Sequence, residues 1–254
     1  MKKIILILAL LLFAGVLFGQ EADLRYIFRE GKNHKFKEKI VSKTTADVMG
    51  KKGVNETETL LDIDETVLEG GEEGKSRQIS SLGFSPIDGK DNLENIPQED
   101  RVTTVLFRQD KRGKCLELCN EDGTVFEGFE PEKENSILPD RKVKVGDTWE
   151  WKRVIEGLKV TAKCTLGKLY SKDGVDIARI DMKFDETIID SDEEISGEIK
   201  VTGSGVFYYA VNYGNDLYLK YTVDLDTQFS MDVNGETGEA IINTNYTYTY
   251  WRYN

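Results

Sequence analysis

LYLKYTVDLDTQFSMDV, residues 217–233, is the stretch that decides the fold. Its odd positions are almost all apolar or aromatic, whereas its even positions are mostly charged or hydroxylated. Such strict alternation predicts an antiparallel strand with one buried and one solvated face. At ~3.3 Å per residue the run would reach roughly 55 Å if straight, far beyond an ordinary strand. We therefore expect a long strand that twists or bends within a curved sheet.

The residues that follow complete a hairpin. Asn234–Gly238 has turn composition, and alternation then resumes from Ala240 to Tyr250. A switch of parity between Ile177 and Ala178 predicts a β-bulge. Further strands are predicted near residues 34–41, 56–68, 102–107, 114–118 and 195–202. The pattern predicts an all-β fold of long, curved antiparallel sheets, half-barrel or sandwich-like.

Two similar stretches of the chain predict an internal duplication. FREGKNHKF, residues 28–36, and VKVGDTWEW, residues 143–151, share a glycine followed by an alternating pair of ring-bearing side chains. A repeat of about 115 residues predicts two related β units. We expect a signal peptide at 1–19, a first β unit at 20–129, a linker at 130–142 and a second β unit at 143–254. The polar, glycine-rich stretch 70–98 is expected to be a mobile excursion.

The N-terminus predicts export. Lys2 and Lys3 precede an uncharged apolar run from Ile4 to Phe18, and small and polar residues follow. This is the layout of a secretory signal peptide, with cleavage expected after Gly19 or, as a second choice, after Ala22. The run is shorter than the ~20 residues of a membrane-spanning helix, although an uncleaved anchor is the alternative. We expect an exported bacterial protein, periplasmic or extracellular, with no stable transmembrane helix after cleavage.

Composition excludes some partners and leaves the cysteines open. The formal net charge of −12 opposes binding to nucleic acid and to anionic membrane surfaces. The three cysteines, Cys115, Cys119 and Cys164, allow one disulfide and one thiol. Cys115 and Cys119 would lie too far apart along one strand to pair directly. Cys164 shares a parity with apolar neighbours, so a buried free thiol is the alternative.

No motif predicts a reaction. His34 is the only histidine, and its lysine-rich surroundings predict a solvated residue at a strand edge rather than part of a triad or zinc site. Gly203-Ser204-Gly205 precedes no helix, so it does not predict a phosphate loop. The acidic clusters lack the spacing of a calcium loop. The sequence therefore predicts a protein that is not an enzyme and has no cofactor and no metal site.

The aromatic residues are the remaining candidates for a binding site. Their alternation fits a concave sheet whose lining holds a lipid, a peptide or a glycan. The alternative, which the frequency of aromatics in strands favours, is a closed core. The predicted ligand-lining residues are Trp149, Trp151, Tyr209, Tyr221, Phe229 and Tyr248.

Three functions fit these patterns. The first is a non-catalytic exported protein that binds an apolar or amphipathic ligand, such as a lipid, on a curved β surface. The second is a structural or interaction module of the cell envelope. The third is an outer-membrane β-barrel, which is opposed by Glu38 and Glu65, because both occupy the apolar parity of their strands.

Three motifs carry a resemblance. LRYIFREG at 24–31, LPDRKVKVGDTW at 138–149 and GSGVFYY at 203–209 resemble a group of secreted bacterial β proteins of unknown function. That resemblance covers most of the mature chain and implies an exported β fold without assigning any chemistry. More distantly, the long curved strands are similar to the half-barrels of lipoprotein-localisation factors, which hold acyl chains. This sequence lacks the core helices of such a barrel, and likeness of fold alone does not establish a function.

Overall fold

The computed structural model describes residues 21–84, 86–87, 90–91, 97–125, 135–155, 157–191, 195–233 and 236–253. The predicted signal peptide and most of the polar part of the predicted linker lie outside these residues. The described part of the chain is all-β and antiparallel, as predicted. Within it, no helix is long and apolar enough to cross a membrane.

The strands run in chain order, with a short 3-10 helix at Gln98–Arg101 before β7. Their bounds are β1 Glu21–Ala22, β2 Asn33–Val48, β3 Lys51–Glu69, β4 Glu73–Phe84, β5 Pro86–Ile87, β6 Lys90–Asp91, β7 Val102–Asp110, β8 Cys115–Asn120, β9 Val143–Lys144, β10 Thr148–Ile155, β11 Leu158–Lys172, β12 Val175–Ser191, β13 Ile195–Ala210, β14 Asn215–Val233 and β15 Glu236–Arg252.

One open antiparallel sheet contains nearly all of these strands. Its order is β10-β11-β12-β13-β14-β15-β2-β3-β4-β7-β8, with β10 and β8 at the two edges. β5 and β6 extend it beside β3, and β1 pairs with β9 in a separate small sheet. The C-terminal strand β15 pairs with β2 in a continuous register through Tyr248 and Ile40. The strands of both predicted units therefore share one sheet.

The sheet is strongly curved. β10 and β7 are nine inter-strand spacings apart, which at about 4.8 Å each would separate them by roughly 43 Å in a flat sheet. Nevertheless Trp151 of β10 and Phe107 of β7 line the same small cavity. The strands must therefore wrap around a concave face, and it is this face that carries the core and the candidate site.

The hairpin predicted from residues 217–250 is present as β14 and β15, paired through Tyr221 and Tyr248. The bulge that was predicted at Ile177 of β12 is found in the neighbouring strand, β11. The ladder from β12 to β13 is continuous there, and the extra residue is Gly167 of β11, between the pairs Leu166–Ile180 and Lys168–Arg179.

The expectation of a mobile excursion over residues 70–98 is wrong for its first part. Glu73–Phe84 is strand β4, which pairs with both β3 and β7. Its apolar alternation is missing because its concave face carries Ser76, Gln78 and Ser80 instead of large apolar residues. A strand with a polar inner face resembles a loop in sequence.

Strands β10–β15, the C-terminal half-sheet, enclose the main core. Its buried concave side chains fill successive rows of the sheet and include Val160, Ala162, Cys164, Leu166, Ala178, Ile180, Met182, Phe184, Val201, Phe207, Tyr221 and Val223. Leu24, Leu138 and Val143 pack onto them from the opposite side. Cys164 is a buried free thiol, as its apolar neighbours in the sequence indicated, and it is not joined to another cysteine.

Residues 23–28, the strap, cross one end of the concave face. Tyr26 N donates to the carbonyl of Lys111 at 2.7 Å, and Ile27 N donates to the carbonyl of Gly214 at 3.1 Å. Gly113 and Gly214 both have positive φ, and a Cβ at either position would collide with the strap. These hairpin turns need glycine for their backbone conformation and for the close approach of the strap.

Candidate ligand-binding site

A cavity of about 290 Å³ lies on the concave face, between the strap and strands β14, β15, β2, β3, β4 and β7. Strands β2, β3, β4, β7 and β8 form the N-terminal half-sheet, and inner side chains of the first four of these strands border this cavity. The lining residues are Tyr26, Ile27, Phe28, His34, Phe36, Glu38, Ile63, Glu65, Val67, Gln78, Phe107, Gln109, Gly113, Asn135, Ile137, Trp151, Arg153, Gly214, Asn215, Asp216, Leu219, Tyr248 and Tyr250.

A β-bulge places Asp216 in the cavity. Tyr208 pairs with Tyr218 whereas Tyr209 pairs with Asp216, so Leu217 is the extra residue. The bulge reverses the parity of β14, and Asp216 therefore shares the concave face with Leu219. The hydroxyl of Tyr26 in the strap donates to Asp216 Oδ1 at 2.7 Å. This hydrogen bond ties the strap to the sheet.

The carboxyl of Asp216 is held in an unfavourable setting for a charge. Protein atoms surround it, although it keeps some accessible surface because it borders the cavity. Burial, and next the nearby charge of Glu65, raise the pKa of Asp216 to about 7, against the opposing effect of the Tyr26 hydrogen bond. The group therefore changes its charge near neutral pH.

Glu65 and His34 lie beside one another at the same end of the cavity. They are directly opposite in the β2–β3 ladder. Burial raises the pKa of Glu65, whereas Arg252 acts to lower it. Arg252 Nη2 lies 2.8 Å from His34 Nδ1, and because a guanidinium only donates, this ring nitrogen accepts. Burial and then the charges of Arg252 and Lys32 lower the pKa of His34 to about 4, so the ring is neutral at neutral pH.

Arg153 defines the other end of the cavity. Its guanidinium carbon lies 4.8 Å from the ring centroid of Tyr248, 5.7 Å from that of Trp151 and 5.8 Å from that of Tyr221. The Tyr248 hydroxyl donates to Glu38 Oε2 at 3.0 Å. Burial raises the pKa of Glu38, while the Tyr248 hydrogen bond and the Arg153 charge oppose that rise. This end combines a cation, a carboxylate and stacked aromatic rings.

The structure distributes the predicted ligand-lining aromatics between cavity and core. Trp151 and Tyr248 line the cavity. Tyr221 is buried behind Tyr248, with ring centroids 5.2 Å apart and planes at 17°.

Like Tyr221, the other three predicted residues do not line the cavity. Trp149 donates its Nε1 hydrogen to the carbonyl of Ile137 at 2.8 Å, and the buried Tyr209 donates to the carbonyl of Arg25. Phe229 lies farther along β14, opposite Gly197 and Ala240. Trp149 and Tyr209 have structural contacts instead, with the linker and the strap.

The charged residues of the cavity were not predicted as site residues. Glu38 and Glu65 break the apolar parity of their strands, and that anomaly was available in the sequence. Asp216 could not be found in this way, because its inward direction depends on the bulge at Leu217. The interpretation of His34 as a solvated edge residue is wrong, since β2 is an interior strand and the ring borders the cavity.

The site has no recognisable metal or family signature. Over the described ranges, no group of three or more His, Cys, Asp or Glu side chains is placed to hold a metal ion. A scan against models of protein families finds no match to the chain, and a search of curated proteins finds none either. Function therefore has to be argued from the cavity itself.

Proposed function

We propose that this protein is a non-catalytic exported protein that binds a small amphipathic ligand on the concave face of its sheet. The observation that carries the proposal is the cavity of about 290 Å³ with aromatic walls and charged groups at both ends. Ligand sites are concave, largely apolar and oriented by a few polar groups, with volumes of roughly 300–1,000 Å³. At about 290 Å³ this cavity lies just below that range, and it suits a short ligand or one end of a longer one.

Native mass spectrometry of the purified protein, combined with titration of octyl compounds followed by tryptophan fluorescence, tests the proposal. Trp151 lines the cavity, so an occupant should change its emission. We expect Tyr248→Ala to weaken binding by about tenfold, equivalent to roughly 1.4 kcal/mol. Tyr218→Ala is the matched control, because Tyr218 lies on the convex face of the adjacent strand.

Two results would count against the proposal. One is a protein that is always recovered empty and binds no octyl compound. The other is an equal loss of affinity in both tyrosine variants. An empty protein would favour a structural or interaction module of the cell envelope. Export is tested separately by the intact mass of the secreted protein, which we expect to begin at Gln20.

A further inference from the structure

Two carboxylates line one end of the cavity, and the positive charge nearby does not balance both of them. Glu65 comes from β3 and Asp216 from β14, and both line the cavity near the strap. They are close enough for the charge of Glu65 to raise the pKa of Asp216. Two like charges in a partly desolvated space repel each other, and a cation between them would relieve that repulsion.

Among the described residues, Arg252 is the basic group that acts on both carboxylates. Its charge lowers the pKa of Glu65 and that of Asp216. His34 adds no charge at neutral pH, because its Nδ1 accepts from Arg252 and its pKa is about 4. With both acids ionised, these groups therefore leave one negative charge in excess at this end of the cavity.

The surrounding aromatic rings also suit a cationic group. Phe36 and Tyr250 stack with centroids 4.7 Å apart, and both line the cavity together with Phe28. Aromatic faces attract ammonium groups.

The opposite end is less suited to an anion. Arg153 already faces the Glu38 carboxylate and the rings of Trp151 and Tyr248. An anionic group placed beside Arg153 would meet the charge of Glu38 as well. The charge pattern of the cavity thus distinguishes its two ends.

We infer that the polar end of the ligand is a primary or secondary ammonium group, which binds between Glu65 and Asp216 while the apolar part lies along the aromatic wall. This inference rests on the proposed function and adds the chemical class of the ligand. In the complex the ammonium N–H groups donate to the two carboxylates.

Three probes with the same chain separate the inference from the proposed function: octylammonium, octanol and octanoate, each titrated at pH 8 by calorimetry. We expect octylammonium to bind at least about tenfold more tightly than octanol, and octanoate to bind most weakly. Equal binding of octylammonium and octanol, or strongest binding of octanoate, overturns the inference while leaving the cavity as an amphipathic site. If none of the three binds, the proposed function fails, and the inference fails with it.

Glu65→Gln and Asp216→Asn should each remove most of the preference for octylammonium over octanol, while octanol itself still binds. Asp224→Asn is the matched control, because Asp224 is an exposed carboxylate on the convex face of the same strand as Asp216. An unchanged preference in both cavity variants would overturn the inference. The wild-type probe series keeps the test decisive even if one variant fails to fold.

Discussion

Both half-sheets consist of antiparallel strands, and they differ in the side chains on their concave faces. In the C-terminal half-sheet, β12 presents Ala178, Ile180, Met182 and Phe184, and all four are buried in the main core. In the N-terminal half-sheet, β4 presents small or polar residues such as Ser76 and its neighbours at the same parity. Large apolar side chains fill the concavity in the first case, whereas small and polar ones leave a cavity in the second.

The main core and the cavity therefore lie in different parts of one sheet. Burial of apolar surface is the main stabilising contribution, and it is concentrated in strands β10–β15. The polar and charged residues of β2–β4 can then border a cavity, because the main stabilising contribution comes from β10–β15. Each change below tests this division of roles, from the largest expected effect to the smallest.

Truncation of the core should cost more in the C-terminal half-sheet than in the N-terminal one. Phe184 is 1% exposed within the core, and Phe184→Ala should lower the free energy of unfolding by about 3–5 kcal/mol. Phe107 lines the cavity and is 9% exposed, so Phe107→Ala should cost less, roughly 1.5–3 kcal/mol. Urea unfolding measures both, and equal losses would contradict the proposed division.

The close approach of the strap to the turn between β7 and β8 depends on Gly113. A Cβ there would collide with the ring of Tyr26, and overpacking of this kind costs about 1–3 kcal/mol. Gly123 is the matched control, because it has nearly the same positive φ but open space around it. We expect Gly113→Ala to be less stable than Gly123→Ala by that amount, with faster hydrogen exchange at residues 23–28. Equal stability and equal hydrogen exchange in the two variants would contradict this prediction, because they would show that the strap moves away from the added Cβ at no cost.

Asp216 should make stability depend on pH. Its pKa is about 7 in the folded chain and 3.8 ordinarily, so between pH 4 and 7 the folded state holds a proton that the unfolded state releases. Its contribution therefore falls as pH rises through this window. Asp216→Asn should remove that fall, so that the variant gains stability relative to the wild type between pH 4 and 7. Urea titrations at several pH values measure the difference.

The contribution of His34 to the free energy of unfolding changes with pH in the opposite direction to that of Asp216. Its pKa falls from 6.5 to about 4 on folding, so its contribution is lost as pH decreases from 6.5 to 4. A His34→Gln background removes this opposing contribution. If, in that background, the stability difference between chains with and without Asp216→Asn stays constant across the window, Asp216 does not titrate there.

The convex face of β2 and β3 should contribute little. Lys39 Nζ lies 2.7 Å from Glu58 Oε1, and other lysine–carboxylate pairs such as Lys37 with Asp62 line the same face. Exposed pairs of this kind are worth about 0.2–1 kcal/mol. Lys39→Met should lower the free energy of unfolding by no more than this, and less at high salt. A larger loss would show that the convex face contributes substantially to the stability of the N-terminal half-sheet.

Much of this architecture could be predicted from local patterns. Alternation from Leu217 to Val233 predicted β14, because each side chain direction follows from strand geometry alone. The same rule made Glu38 and Glu65 anomalous. The rule failed for β4, whose polar inner face has no apolar alternation, and for Asp216, whose direction depends on a bulge set by pairing with Tyr209.

By itself the sequence determined the class of the fold and the faces of its longest strands, since these depend on neighbouring residues in the chain. Only the tertiary structure decided that β15 pairs with β2, so that the two predicted units share one sheet. It alone brought Glu65 of β3 and Asp216 of β14 to one end of a cavity that the strap borders. These contacts join residues far apart in sequence, and strand alternation carries no information about which distant strands pair or how strongly the sheet curves.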